Sequence, residues 1–239
     1  MRMGGIIFAR MASKRLPGKA LIDISGKLLL DRVFEAAKKI KNIEHVCIAT
    51  SINSDDDEIN NYAIKRGIEC FRGDENDVAE RALMAAKKYN YTSFARICGD
   101  RPFIDPKIYD ELILIHKSNE TIDITTNVFP RKVPPGLSAE IVKTKSIKKM
   151  LSMTKEKFYR EHITSFFYDN LDTFNISSIS HNEMFKEYRD IKLVVDNRND
   201  LRKVSWIINH KNYDHNSKKI ILLAKEWESK NLKNKIKNK

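Results

Sequence analysis

Short apolar runs alternate with amphipathic segments through roughly the first 125 residues of this 239-residue chain. The runs are rich in β-branched residues, which favours buried strands, whereas the segments between them carry apolar residues at helical spacing. The predicted strands are 5–9, 45–50, 69–72 and 93–98, and the predicted helices are 29–40, 55–66, 77–88 and one that begins at 106. Strands that alternate with helices indicate a parallel sheet covered on both faces. We therefore predict an α/β fold with a doubly wound, mostly parallel, Rossmann-like sheet.

The pattern changes after residue 128, where the Pro-rich stretch FPRKVPPG interrupts the alternation. The elements predicted beyond it are strands at 138–142, 174–179 and 192–196, and helices at 144–153, 156–168, 199–208 and 216–230. The short apolar run at 192–196 is typical of a buried strand, so the simplest topology returns it to the main sheet. Residues 129–188 then form an excursion from that sheet.

These patterns divide the chain into two parts. A domain over 1–210 has its core in 1–128 and 189–210, and a C-terminal helix with a basic tail covers 211–239. The net charge is +12, and half of it lies in 217–239, where eight Lys and two Glu give +6. Platforms for nucleic acids combine basic groups with stacking aromatics, and the final stretch KNLKNKIKNK has no aromatic residue. We predict a solvated helix end with a frayed tail, and no nucleic-acid partner.

Composition narrows the class of protein further. No apolar run approaches the roughly 20 residues that a membrane-spanning helix needs, and the first residues lack the long apolar region of a signal peptide. Cys47, Cys70 and Cys98 have no CxxC spacing, so neither a disulfide framework nor a zinc site is expected. We expect a cytoplasmic protein without a membrane partner.

Polar groups collect where three of the predicted strands end. The first strand runs into residues 10–19 (RMASKRLPGK), a loop with four cationic side chains, and two later strand ends carry Asp100 and Asp196. Ligands of open α/β sheets bind beyond the carboxyl ends of the strands, so these groups are expected to face one site. Cations opposite two carboxylates indicate a polyphosphate with a divalent metal, and Mg²⁺ prefers such oxygen ligands. The loop matches neither the GxxxxGK[ST] nor the GxGxxG pattern.

The ordered set of motifs resembles the CMP-sugar synthetases, the family that activates Kdo and sialic acids with CTP. Residues 6–21 (IIFARMASKRLPGKAL) are similar to the N-terminal motif of that family, most of all in the branch typified by spore coat polysaccharide biosynthesis protein F. The other matching stretches are ATS at 49–51, FRG at 71–73, Asp77-Val78 with Arg81, RICGDRPFIDP at 96–106, Pro135-Gly136, EHIT at 161–164 and VVD at 194–196. The resemblance covers the chain up to about residue 208.

The resemblance implies a nucleotidyltransferase fold and a cytidylyltransferase activity. CMP would pass from CTP to a sialic-acid-like or Kdo-like sugar acid, with release of pyrophosphate, for a cell-surface glycan. The implied catalytic residues are Lys19, Arg10 and Asp100; the implied nucleotide-binding residues are Ala9, Arg10, Ser13, Arg15, Lys19, Arg72, Asp77 and Arg81; the implied acceptor-binding residues are Pro135, Gly136, Glu140, Glu161, His162 and Thr164. Asp100 and Asp196 would bind Mg²⁺, and residues 129–188 would support a homodimer. The branch more often has an acidic residue where Ser138 stands, which leaves the acceptor open.

Two other functions and several structural roles remain alternatives at this point. A glycosyltransferase that uses a finished nucleotide sugar could share the fold, although no DxD motif lies at a strand end, and the basic charge is compatible with a nucleic-acid-binding protein. Asp196 could simply cap the helix that follows it, and His162, inside a predicted helix, could be structural. Trp206 and Trp227 are expected to pack between helices.

Overall fold

A central β-sheet organises the computed structural model, which describes residues 1–179 and 183–237, without the side chains of 183, 184 and 233–237. In these residues the sheet has seven strands: β1 (Met3–Phe8), β2 (His45–Ser51), β3 (Cys70–Gly73), β4 (Ser93–Cys98), β5 (Ile124–Thr126), β6 (Glu140–Lys143) and β7 (Ile176–Ser178). Their order is β3-β2-β1-β4-β6-β5-β7. β6 is antiparallel to β4 and β5, and the other neighbouring strands are parallel. The predicted mostly parallel α/β fold is confirmed.

Helices cover both faces of the sheet. They are α1 (Leu29–Ala37), α2 (Asp57–Lys65), α3 (Val78–Lys88), α4 (Pro106–Ser118), α5 (Thr144–Met153), α6 (Lys157–Glu161), α7 (Ser165–Tyr168), α8 (Glu183–Glu187), α9 (Arg198–Ile208) and α10 (Ser217–Lys237). Residues of α1, α2, α4, α9 and α10 form one apolar layer, and residues of α3, α5 and α7 form the other. On β1, Ile7 belongs to the first layer and Ile6 to the second. The strands read as apolar runs because both of their faces are buried.

The prediction that residues 129–188 leave the main sheet is wrong. β6 and β7 both come from this region, and β6 pairs directly with β4. The short strand β5, which the sequence reading missed, joins β6 to β7. A three-residue strand gives too little pattern for period-two alternation to be recognised.

The predicted strand at 192–196 is also absent from the sheet. Its backbone makes isolated hydrogen bonds instead: the Leu193 N–H donates to the Pro135 carbonyl at 2.7 Å, and the Val195 N–H donates to the Asp100 carbonyl at 2.9 Å. Leu193 and Val195 are nevertheless fully buried. An apolar run indicates that a segment is buried, but not that it pairs as a strand. Here the segment is buried without strand pairing because it crosses the residues that follow β4.

The predicted helix at 156–168 is interrupted. α6 ends at Glu161, and His162 has φ −105° and ψ 66°, outside the helical region. α7 then begins at Ser165. Ile163 and Phe167 are both buried in the second apolar layer. In a continuous helix their directions would be fixed by the helical repeat, whereas the break at His162 allows each to turn toward this layer.

The C-terminal helix is part of the fold. Ile221 and Ala224 of α10 are buried in the first layer, and Lys203 of α9 lies 2.8 Å from Glu228. The Lys230 ammonium lies over the Trp206 ring, and Trp227 is 9% exposed, so the expected helix packing of both tryptophans is confirmed. α10 extends past the predicted end at residue 230, whereas residues 238–239 of the predicted frayed tail lie outside the described part. Within that part, no helix combines the length and apolar character needed to cross a bilayer.

His116 predicts a pH dependence of stability. Its fully buried ring lies 3.0 Å from the Thr125 hydroxyl and 3.1 Å from the Ser93 hydroxyl, and burial lowers its pKa from 6.5 to about 4. The unfolded chain therefore binds more protons between these pH values, and the free energy of unfolding falls as the pH falls. Between pH 7 and pH 4 the wild type should lose about 3 kcal/mol more than His116→Gln in urea unfolding experiments.

The exposed His162 supplies the control for this prediction. His162→Gln should keep the pH dependence of the wild type, since it removes a histidine and leaves the buried His116 with its two hydroxyl partners. An unchanged pH dependence in His116→Gln would contradict the assignment to His116.

Candidate active site

The loop after β1 forms a turn that presents Lys19. Gly18 has φ +70°, a conformation that favours glycine, and its N–H donates to the Met11 carbonyl at 3.0 Å. The buried side chains of Leu16 and Ala20 fix the turn on either side. Lys19 then begins a short 3₁₀ turn, with its side chain 15% exposed.

The Lys19 ammonium brings three distant parts of the chain together. Its Nζ lies 2.8 Å from Asp100 Oδ2 and 3.1 Å from Asp196 Oδ1. It also donates to the Val195 carbonyl at 2.9 Å. The structure therefore brings Asp100 and Asp196 to one place, as predicted, although Asp196 follows a segment that lies outside the sheet. We refer to Lys19, Asp100 and Asp196 as the Lys19 centre.

Asp196 does not cap the helix that follows it. Asn197 takes that position in α9, with its side-chain oxygen accepting from the Asn199 and Asp200 N–H groups at 2.8 and 3.0 Å. The Asp196 carboxylate is left for cations, and Arg15 and Lys192 approach it to 3.1 and 2.8 Å. These contacts favour a role for Asp196 as a carboxylate that binds cations over the alternative role of a helix cap.

The ionisation of Asp196 follows from these partners. Burial alone raises the pKa of a carboxyl, but the hydrogen bonds and charges of Lys192 and Lys19 outweigh it and lower the pKa of Asp196 to about 2. Lys192 also pairs with Asp200 at 3.0 Å. Asp196 is thus a carboxylate throughout the physiological pH range. Lys192 was missed in the sequence reading because it stands at the start of an apolar run.

The other residues of the first loop have separate contacts. The Arg10 guanidinium is 3.3 Å from Glu161, with both side chains largely in solvent, and the Arg15 side chain is 67% exposed. Ser13 is half-buried, and its N–H donates to the Met11 carbonyl at 2.8 Å. Ala9 is buried, with its N–H on the Ala49 carbonyl at 3.3 Å. The Arg10–Glu161 pair thus connects the first loop with one of the implied acceptor-binding residues.

Asp56 holds the loop in place and was not identified from the sequence. It is 2% exposed, and its carboxylate accepts from the Met11 N–H at 2.6 Å and from the Ser51 N–H at 3.1 Å. The run Asp55-Asp56-Asp57 has the pattern of an acidic first turn of a helix, but only Asp57 lies in the first turn of α2, and Asp55 and Asp56 lie in the 3₁₀ turn before it. A buried carboxylate that accepts backbone N–H groups from two loops fixes both at the sheet edge.

Three predicted nucleotide-binding residues have structural contacts. Arg72 donates to the Ser51 and Asn53 carbonyls, both at 2.9 Å, and Asp77 caps α3 through the Glu80 N–H at 2.8 Å. Arg81 is 4% exposed; burial lowers its pKa, and the nearby charge of Arg10 lowers it further. Arg72 thereby connects β3 with the chain that follows β2, and Asp77 fixes the start of α3.

Pro135 and Gly136 pack beneath the segment that carries Asp196. Gly136 has φ +112°, and a Cβ placed there would lie 2.5 Å from the Leu193 carbonyl oxygen. Such an approach between two backbones requires glycine. The pair therefore positions residues 193–196 relative to β4.

The remaining acceptor candidates differ in their surroundings. Glu140 is 3% exposed; it lies 2.6 Å from Arg96 and accepts from the Tyr168 hydroxyl at 2.5 Å. Burial alone would raise the pKa of Glu140, but Arg96 and Tyr168 lower it. Thr164 is buried, whereas His162 is exposed and its ring contacts Phe158 edge to face. Within the described residues, no three His, Cys, Asp or Glu side chains cluster as metal ligands.

Comparison with known proteins gives the family. The family model described as Cytidylyltransferase matches residues 5–221. The chain belongs to the cytidylyltransferase family. This cytidylyltransferase is a CTP-dependent nucleotidyltransferase, which favours nucleotidyl transfer over the glycosyltransferase and nucleic-acid-binding alternatives.

Individual relatives agree with the family assignment. The spore coat polysaccharide biosynthesis protein SpsF of Bacillus subtilis is 30% identical over 208 residues, which are 83% of each chain. The 3-deoxy-manno-octulosonate cytidylyltransferase of Geobacter sulfurreducens is 32% identical over 128 residues, which are 53% of this chain and 50% of the relative. A cytidylyltransferase structure from Leptospira borgpetersenii superposes with a TM-score of 0.86, with 31% identity and 96% of both chains covered.

The close approach of Gly136 to Leu193 predicts that a methyl group at position 136 lowers the stability of the fold. Gly136→Ala should lower the free energy of unfolding by clearly more than about 1 kcal/mol, because the Leu193 carbonyl must move as well as the backbone being strained. Gly67→Ala is the matched control: its φ is +63°, but a Cβ there meets nothing within 4 Å. It should cost only the strain, about 1 kcal/mol. Equal losses in denaturant unfolding would contradict the close approach of Gly136 to Leu193.

Proposed function

We propose that this cytidylyltransferase transfers CMP from CTP to a sugar acid, sialic-acid-like or Kdo-like, and releases pyrophosphate for the synthesis of a cell-surface glycan. The observation that carries the proposal is the Lys19 centre, where one ammonium lies 2.8 and 3.1 Å from the carboxylates of Asp100, which follows β4, and Asp196, which precedes α9. The names of the relatives support the substrate class: one contains spore coat polysaccharide biosynthesis and another contains 3-deoxy-manno-octulosonate.

The cations of the first loop suit a triphosphate. Arg10, Arg15 and Lys19 each lie against a protein carboxylate, and two of these carboxylates, Asp196 and Glu161, come from distant parts of the chain. Phosphate oxygens would compete with the carboxylates for the same donors. Ser13, in the same loop, would add a hydroxyl donor. Lys19 is the least exposed of the three cations, which supports a place for it nearest the reacting phosphorus.

Asp100 and Asp196 fit a magnesium ion that is shared with phosphates. Mg²⁺ usually takes one or two protein carboxylates and completes its shell with phosphate oxygens and water. The two carboxylates share the Lys19 ammonium and remain 27% and 19% exposed, so they supply this donor set and leave the rest to a ligand. When bound, the ion would neutralise phosphate charge and lower the pKa of the attacking hydroxyl.

The reaction that follows is an in-line substitution at the α-phosphorus of CTP. The acceptor hydroxyl oxygen forms a bond to phosphorus, its proton passes to water, and the bond from the α-phosphorus to the oxygen bridging to the β-phosphate breaks. Lys19 would stabilise the charge that develops on the phosphate oxygens, and Arg10 and Arg15 would hold the departing pyrophosphate. The protein thereby contributes orientation and preorganised charge.

A pyrophosphate-release assay tests the function. The wild type should prefer CTP among the four nucleoside triphosphates in the presence of sialic-acid-like or Kdo-like acceptors. Lys19→Ala and Asp100→Ala should each lose about 100- to 1,000-fold in turnover while remaining folded, because each removes a group that stabilises charge in the transition state.

Lys14→Ala is the control for loss of charge from the same loop, since the exposed Lys14 has no ion pair among the described side chains. It should retain turnover close to that of the wild type. Release without a preference for CTP would contradict the proposed reaction, and normal turnover in Lys19→Ala or Asp100→Ala would contradict the role of that residue.

Metal binding in the absence of nucleotide gives a second test. The Lys19 ammonium occupies the carboxylate oxygens that a metal would need, so Lys19→Met should bind Mn²⁺ at least about tenfold more tightly than the wild type in calorimetry. Adding Asp196→Asn to Lys19→Met should remove the gain. No gain in Lys19→Met would argue against a metal site at Asp100 and Asp196.

A further inference from the structure

Two arginines converge on one uncharged residue just before β6. The Arg101 guanidinium donates to the Ser138 carbonyl at 3.0 Å, and the Arg131 guanidinium donates to the Ser138 hydroxyl at 3.0 Å. Arg101 is half-buried, and Arg131 lies at the surface. Hydrogen bonds to a neutral residue orient the two guanidiniums without neutralising them.

The nearby carboxylate is already engaged. Glu140 pairs with Arg96 at 2.6 Å in the register of β4 and β6. It also accepts the Tyr168 hydroxyl at 2.5 Å. Among the side chains that the structure describes, neither Arg101 nor Arg131 has a carboxylate within ion-pair distance. With Arg96 and Glu140 cancelling each other, two positive charges remain in the cluster.

The two charges oppose each other. Burial lowers the pKa of Arg131, and the charge of Arg101 lowers it further, while Glu140 acts in the opposite direction. Two like charges oriented toward the same residue favour an anion that could contact both. A carboxylate is a suitable partner, because a guanidinium offers five N–H donors and pairs with a carboxylate through two parallel hydrogen bonds.

The backbone that carries the cluster is connected to the Lys19 centre. Arg101 directly follows Asp100, whose carbonyl accepts the Val195 N–H at 2.9 Å. The chain before Ser138 passes beneath the segment that carries Asp196, where the Pro135 carbonyl accepts the Leu193 N–H at 2.7 Å. An acceptor with its hydroxyl at the Lys19 centre would therefore have its other polar groups close to these arginines.

We propose that Arg101 and Arg131 bind the carboxylate of the acceptor and thereby select a sugar acid over a neutral sugar. This inference rests on the proposed function and adds the residues that recognise the carboxylate of the acceptor. Both guanidiniums donate to Ser138 and to no carboxylate of the described residues, so the lack of charge at Ser138 keeps them available to the substrate. An aspartate at this position would pair with both arginines and compete with the acceptor.

The test compares a sugar acid with its own carboxamide in the pyrophosphate-release assay. Arg131→Gln is the main variant, because Arg131 lies at the surface and its loss should not prevent folding. It should raise the KM for the sugar acid by about 10- to 100-fold, as expected for a lost charge-assisted hydrogen bond. The KM for CTP should stay the same, and the preference for acid over amide should largely disappear.

Position 138 gives an independent pair of variants. Ser138→Asp should raise the KM for the sugar acid as Arg131→Gln does, whereas Ser138→Ala, which removes only a hydroxyl, should keep most of the preference for the acid. Arg2→Gln is the control for a lost exposed arginine, since Arg2 pairs with Glu44 at the opposite end of β1.

The outcomes separate this inference from the function on which it rests. If the wild type releases no pyrophosphate from CTP with any of the sugar acids tested, the proposed function fails. If the wild type is active and Arg131→Gln keeps both its KM for the acid and its preference over the amide, the carboxylate site alone is overturned. If Arg131→Gln raises the KM for CTP and the KM for the acceptor equally, Arg131 has a structural role, and the proposed carboxylate site is also overturned.

Discussion

The ion pairs of Lys19 connect three parts of the molecule that the sequence keeps far apart. Lys19 comes from the first loop, Asp100 from the end of β4 and Asp196 from the segment before α9. None of the three side chains is fully exposed, so solvent screens their interactions less than it would at the surface. The supporting contacts serve the same geometry: Asp56 holds the loop, and Asn197 caps α9 in place of Asp196.

Much of the nucleotide side of the site could be predicted from the sequence. Parallel strands bring their carboxyl ends to one edge, so the positions of Lys19 and Asp100 followed once β1 and β4 were recognised. Glycine and proline marked the loop, and the motif order pointed to the family. The roles of these residues in catalysis remain predictions.

The acceptor side was harder to predict, for physical reasons. The 192–196 run is buried like a strand but pairs with no neighbour along its length, and sequence pattern reports burial only. The pairing of Glu140 with Arg96 depends on the antiparallel register of β6 against β4, which no local pattern specifies. Ser138 was noted as a departure from the family pattern, and its contacts with Arg101 and Arg131 became visible only in three dimensions.

The antiparallel direction of β6 decides which residues lie at the edge of the sheet that carries Asp100. Because β6 runs against β4, the chain enters β6 at the edge where the aspartates lie and leaves it at the far edge. Residues 127–139 therefore lie at the same edge of the sheet as the Lys19 centre, and they are anchored there by the buried side chains of Val133, Leu137 and Ala139. Substitutions at exposed positions of this segment, such as Arg131, can change this edge while β1, β2 and β4 keep their places, whereas a change at Gly136 would also displace the segment that carries Asp196.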